Sequence, residues 1–210
     1  MKIAIVGAGY IGGTLTRRLT ALGHEVSVAN SRGPETLADL AAETGATPGL
    51  AGEVAAGADL VVVTIPEGRV PQLPEGLLSA TPADSPVVDT GNYYPQRDGR
   101  IEAIEGGMAS SRWVSTQLGR GVVKAFNNIA SGSLMADGKP AGTPGRIALP
   151  VAGDDEAAKA KVMALVDELG FDPVDAGALD DSWRQEPGTP VYGANRDAAG
   201  TREALAAATR

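Results

Sequence analysis

The chain has 210 residues, 26 acidic and 18 basic side chains, a net charge of −8, 43% hydrophobic residues and no cysteine. That length suits one domain, or one domain with an appended lobe, and it can bury a full core. The acidic balance argues against non-specific nucleic-acid binding, and the missing thiols exclude disulfides, a thiol nucleophile and thiolate metal sites.

Lys2 to Val6 is a short apolar run followed by Gly7-Ala8-Gly9-Tyr10-Ile11-Gly12. A helical pattern then places Ile11, Leu15, Leu19 and Leu22 on one stripe, and Glu25 to Ala29 reads as the next strand. A buried strand feeding a G-x-G-x-x-G turn and a helix is the setting of a dinucleotide site. Gly7 allows the tight turn, Gly9 lets backbone approach a pyrophosphate, and Gly12 lets the helix pack closely on the sheet. Ala8, Tyr10 and Ile11 complete this cofactor-binding stretch. After the second strand, where an NAD site usually carries Asp or Glu, stand Asn30-Ser31-Arg32-Gly33-Pro34. Ser31 can hydrogen-bond a 2′-phosphate and Arg32 can pair with it, so NADP(H) is expected over NAD(H).

A helix is expected from Glu35 to Thr44, a short strand near Ala46 to Pro48 and a brief helix within Leu50 to Gly57. Leu60 to Pro66 is an unbroken, mostly β-branched run, as in a strand buried on both faces, and Thr64, Ile65 and Pro66 at its carboxyl end should border the cofactor. Pro71 to Pro86 is punctuated by proline and should be irregular around a short helix. Val87 to Asp89 is another strand, ending in Thr90-Gly91-Asn92-Tyr93-Tyr94. Asn92 could hold the nicotinamide carboxamide or ribose and either tyrosine could cover the ring; a plain turn with outward tyrosines is the alternative. Ser110 to Leu118 reads as a helix and Gly121 to Phe126 as a sixth parallel strand, with Asn127-Asn128 at its end. Ile147 to Ala152 and Phe171 to Val174 are further strands around a helix that Asp154-Asp155 can cap. This alternation argues for a doubly wound, mostly parallel sheet. A Rossmann-like cofactor domain is expected over residues 1–150, and a small α/β extension with its tail over 151–210.

The pieces VGAGYIGGTLTRRLTALGHEV with ANSR behind it, VVVTIP, GVVKAFNNI and LPVAGDDEAAKAKVMALVDELGFDPVDAGAL resemble the NADP oxidoreductases that act on the 8-hydroxy-5-deazaflavin coenzyme F420. The resemblance covers most of residues 1–180. It implies a Rossmann-like domain with a small C-terminal lobe, usually paired as a homodimer, and hydride exchange between NADPH and a deazaflavin or flavin. It carries over Gly7, Gly9, Gly12, Ser31 and Arg32, with Ile65 and Pro66 beside the ribose. Asn127-Asn128 and DSWRQEPGTPVY depart from the family pattern where the second substrate would bind.

Hydride transfer between stacked rings asks for proximity and orientation rather than a strong acid or base. His24, the single histidine, precedes the second strand and is expected to be structural. A competing reaction, NADPH-dependent reduction of a small carbonyl or imine, needs a proton donor, for which Lys124, Tyr93 and Tyr94 are candidates. Lys124 and Asn127 are thus the candidate catalytic residues. Lys124 interrupts an apolar strand, which is costly for a charge unless it reaches solvent or a carboxylate. A third possibility is an NADP-binding redox sensor without turnover. Trp183 and Arg184 beside two prolines could wall a pocket, meet a second subunit or pack the tail. No apolar run approaches membrane-spanning length and no signal-peptide cleavage pattern follows Met1-Lys2, so a cytoplasmic protein with no membrane contact is expected.

Overall fold

The apolar runs at the start of the chain become the centre of a parallel sheet. A computed structural model describes all 210 residues. In chain order β1 (Lys2–Val6), α1 (Tyr10–Ala21) and β2 (Glu25–Ala29) are followed by a 3-10 turn (Pro34–Leu37) and α2 (Ala38–Thr44). Then come β3 (Thr47–Pro48), α3 (Ala51–Val54), β4 (Leu60–Val63) and a second 3-10 turn (Glu67–Gln72). β5 (Val87–Asp89) leads to the short helices α4 (Pro95–Asp98) and α5 (Glu102–Glu105), then to α6 (Ser110–Leu118), β6 (Val123–Lys124) and α7 (Ser131–Ala136). The last third holds β7 (Ala148–Val151), α8 (Glu156–Glu168), β8 (Asp172–Asp175), a 3-10 turn (Leu179–Gln185) and α9 (Ala198–Ala206).

Six strands pair in the order β3-β2-β1-β4-β5-β6, all parallel. This is a Rossmann-like α/β sheet. Alternate residues of its central strands feed opposite faces: Ile3, Ile5, Leu60 and Val62 join one apolar cluster, while Ala4, Val6, Val61 and Val63 join the other. Burial on both sides explains why these strands read as unbroken apolar runs. The winding reverses between β1 and β4, which opens a crevice beyond their carboxyl ends.

Two departures follow from non-local pairing and from proline. β7 does not extend the main sheet. It pairs in parallel with β8 and touches β6 only through an antiparallel bridge between Ala152 and Lys124. The expected boundary at 150/151 therefore falls inside β7, and the change of sheet lies ahead of it. The helix expected within Pro71 to Pro86 is absent: turns fill residues 73–86, where Pro74, Pro82 and Pro86 each lack an amide donor. The short helices α4, α5 and α7 also stand where the sequence reading expects none. Asp155 caps α8 by accepting from the N–H groups of Ala157 and Ala158. No helix is long and apolar enough to cross a membrane.

Candidate active site at the carboxyl edge of the sheet

The turn after β1 is built by what glycine lacks. Gly7 has φ +115°, and a Cβ there would stand 2.2 Å from the Thr64 carbonyl oxygen. A Cβ on Gly12 would stand 1.9 Å from the Gly7 carbonyl oxygen and 2.7 Å from Thr64 Cγ2. These two glycines let the turn, α1 and the end of β4 close on one another. Gly9 differs: nothing lies within 4 Å of its added Cβ, so it faces open space. It precedes α1, whose first turn carries neither a side-chain cap nor an acidic residue. The first N–H groups of that helix, from Tyr10 to Gly12, are thus free donors. Ala8 and Ile11 are half-buried against the core, while Tyr10 is 88% exposed.

After β2, Asn30 shapes the loop by accepting from the Arg32 N–H at 2.9 Å and donating to Thr36 at 2.8 Å. Ser31 and Arg32 point outward, and Arg32 is in no ion pair. The nearest acid in sequence, Glu35, folds its carboxylate back over Gly33. At the end of β4, Thr64, Ile65 and Pro66 are half-buried beside the glycine turn.

Beyond β5 and β6 the chain closes on itself through amides. Asn92 Nδ2 donates to the Asn127 carbonyl at 2.9 Å, and Asn127 Nδ2 donates to Asn92 Oδ1 at 3.0 Å. The same Nδ2 donates to the Gln185 carbonyl at 2.7 Å, and Gln185 Nε2 returns a bond to Asn127 Oδ1 at 2.9 Å. Gly193 N–H donates to the Asn128 carbonyl at 2.9 Å, and the Tyr94 and Tyr192 hydroxyls meet at 2.5 Å. The segment that departs from the family pattern thus covers the ends of β5 and β6. Trp183 is sandwiched at the surface between Arg184 and Arg210, with guanidinium carbons 4.8 and 5.0 Å from its ring centre.

Beneath these amides lies a buried polar hub. Lys124 is fully buried, and its ammonium donates to Gly91 O at 2.6 Å, Asp89 Oδ2 at 3.2 Å and Ser110 Oγ at 3.3 Å. Ser111 Oγ donates to the same Asp89 oxygen at 2.6 Å, and Glu186 accepts from the Ser110 N–H at 2.7 Å. Burial pulls the Lys124 pKa down, but the Asp89 carboxylate and its acidic neighbours outweigh it and hold the ammonium charged. Glu67, also 0% exposed, has no partner on either carboxylate oxygen. Burial, reinforced by the charge of Asp89, pushes its pKa well above the ordinary range, so it sits as a neutral acid against Gly91.

The structure therefore gathers the glycine turn, the Asn30–Arg32 loop, the Thr64–Pro66 strand end and Asn92 on one edge. It sets Lys124 under that edge with its three donors engaged, and spends the Asn127 side chain on Asn92 and Gln185. His24 lies at the other edge, between the Met1 amino group at 3.3 Å and Glu168 at 3.2 Å. Glu67, Asp89, Gln185 and Tyr192 are the site residues that the sequence did not single out. The available signal for the first two was an acid at a strand's carboxyl end, closing β5 or four residues beyond β4; no local signal marks the others. A groove of about 530 Å³ between Val70 and Leu78 on one side and Leu118 and Arg120 on the other touches none of these residues.

Comparison with known proteins places these features in context. Residues 2–93 match the family model described as NADP oxidoreductase, coenzyme F420-dependent. A hypothetical protein from Sinorhizobium meliloti, of solved structure, is 32% identical with a TM-score of 0.77, over 93% of this chain and 94% of that one. An Arthrobacter sp. FB24 structure, described provisionally as an F420-dependent NADP-reductase, is 28% identical with a TM-score of 0.68, over 88% and 87% of the two chains. The Escherichia coli (strain K12) protein YjhV is 50% identical over 60 residues, a match spanning 29% of this chain and 44% of that protein.

Proposed function

The chain belongs to the family of coenzyme F420-dependent NADP oxidoreductases, and from that premise we propose that it exchanges a hydride between NADPH and a second ring, a deazaflavin or a flavin. The observation that carries the nucleotide assignment is an open anion cradle with an unpaired cation at its far end. Gly9 leaves room for a pyrophosphate, and the free N–H groups at the start of α1 face it. Arg32 is available to a 2′-phosphate with Ser31 beside it. Ile65 and Pro66 line the way to Asn92, whose position suits the nicotinamide end.

When bound, the nicotinamide supplies or receives the hydride. The chain's own residues hold the two rings in contact and keep water away. Asn92 and Asn127 fix the ends of β5 and β6 to the tail through Gln185, so the second ring would meet a closed wall there rather than a mobile segment. A small carbonyl or imine is the second reading of the acceptor, favoured by the phenol pair Tyr94–Tyr192 at the same edge.

The test is NADPH oxidation by purified protein with the deazaflavin coenzyme, FMN and FAD offered separately. Fast oxidation with deazaflavin is the expected result. Tight NADPH binding without oxidation by any of the three would turn the assignment to a small carbonyl or imine, or to a sensor.

A further inference from the structure

We propose that Tyr94 is the proton donor of this reaction and that Tyr192, from the C-terminal tail, resupplies it. The proposal rests on the hydride-transfer reading above. Hydride delivery leaves an acceptor one proton short, because a heteroatom gains the electron pair: the imine nitrogen or carbonyl oxygen next to the carbon that takes the hydride, or the ring nitrogen conjugated to the position that takes it in a deazaflavin or flavin.

Few groups at the carboxyl edge can give that proton. His24 lies at the opposite edge, Lys124 is buried with all its donors engaged, and Glu67 is sealed beneath Gly91. The Tyr93 hydroxyl is occupied by Gly99 O at 3.0 Å, Glu105 at 3.1 Å and the Ile101 N–H at 3.0 Å. Tyr10 belongs to the glycine turn and the start of α1, at the pyrophosphate end of the cradle, which leaves Tyr94 and Tyr192 at the other end. Both are half-buried, and they touch nothing through their hydroxyls but each other. Tyr94 follows by two residues Asn92, the residue proposed for the nicotinamide end of the cleft.

The pair has a direction. The Arg97 guanidinium lies 5.1 Å from the Tyr94 ring centre and donates to the Asn92 carbonyl at 2.5 Å. Asp98 pairs with that guanidinium through both carboxylate oxygens and balances its charge, so the order of the two phenols rests on position: Tyr94 is the one next to Asn92. The acceptor atom forms its bond to the hydride and the acceptor heteroatom bonds the proton leaving Tyr94 Oη. The O–H electron pair stays on Tyr94 Oη. Tyr192 passes its own proton across the 2.5 Å gap and regains one from water. The reverse reaction runs the same path backwards.

Wild type, Tyr94→Phe and Tyr192→Phe separate the possibilities. Tyr94→Phe is expected to lower kcat about 10²-fold or more while leaving the NADPH Kd unchanged. Tyr192→Phe should cost less, since water can replace the resupplying phenol. An ultraviolet phenolate titration of the ligand-free protein gives an independent readout. Burial and the bond to Tyr94 push Tyr192 up to about 12, and Tyr94→Phe should move that step down. An unaltered kcat in Tyr94→Phe, with an acceptor that the wild type reduces, overturns the donor role alone. So does a loss confined to NADPH Kd, or a Tyr192 titration that Tyr94→Phe leaves in place. A wild type that reduces no deazaflavin, flavin, imine or carbonyl refutes the hydride-transfer reading and the donor role together.

Discussion

Two charged side chains stand on the loop after β2, and they would act on a 2′-phosphate with opposite signs. Arg32 is exposed and unpaired, whereas Glu35 folds over Gly33 one residue further along. If Arg32 grips the phosphate, removing its charge-assisted bond in Arg32→Ala should weaken NADPH binding by about 1.5–3 kcal/mol and leave NADH nearly unchanged. Fluorescence titration with both nucleotides checks this, and equal losses for the two would remove the 2′-phosphate assignment. Arg32 could be named as a candidate because that reading needs only the end of one strand and the next few positions, whereas the carboxylate of Glu35 beside it went unread. The exposure and freedom of Arg32 were not legible, since any of the chain's 26 acidic residues could have folded against it.

At the scale of an element, β1, its turn and α1 form a unit in which three glycines look alike in sequence and behave differently in space. Gly12 is in close backbone contact, and Gly12→Ala should destabilise the fold by about 1–3 kcal/mol, because Gly7 and Thr64 must move. Gly9 faces open space in an extended conformation any residue adopts, with φ −77°. Gly9→Ala should therefore melt like the wild type yet lose about 1.5–3 kcal/mol of NADPH binding, as one displaced charge-assisted contact would cost. Thermal melts of the two variants with and without NADPH distinguish these roles. A Gly9→Ala protein that binds NADPH normally would show that the nucleotide does not approach this turn.

For the whole molecule, the hub beneath the cleft ties together β5, β6, α6 and the tail. Its groups are far apart in sequence: Asp89 and Lys124 by 35 residues, Ser110 and Glu186 by 76. Glu67 makes the hub sensitive to pH. Its folded pKa lies above the ordinary 4.5, through burial first and then the Asp89 charge, so the folded state keeps a proton that the unfolded chain releases. Stability should accordingly fall as pH rises above the ordinary carboxylate range, at no more than about 1.4 kcal/mol per pH unit for one proton. Glu67→Gln, neutral at every pH, should lose that slope. Melting temperatures of the two proteins between acidic and neutral pH supply the test, and parallel profiles would mean that Glu67 is charged and partnered in solution.

The sequence by itself determined the parallel alternation and the strand–glycine–helix unit, because these depend on neighbours: a missing Cβ, a run of apolar residues, a cap one turn away. Lys124 shows the limit of such reading. Its place in an apolar strand announced that it needed a partner, but only the tertiary structure supplied Asp89 and turned a candidate catalytic lysine into a buried tie. The same holds for β7, whose strand signal was local while its choice of β8 over the main sheet was not. Asn127 and Gln185 are 58 residues apart, and Tyr94 and Tyr192 are 98 apart. Pairing across such separations is set by how the whole sheet and its tail pack, and no local preference encodes it.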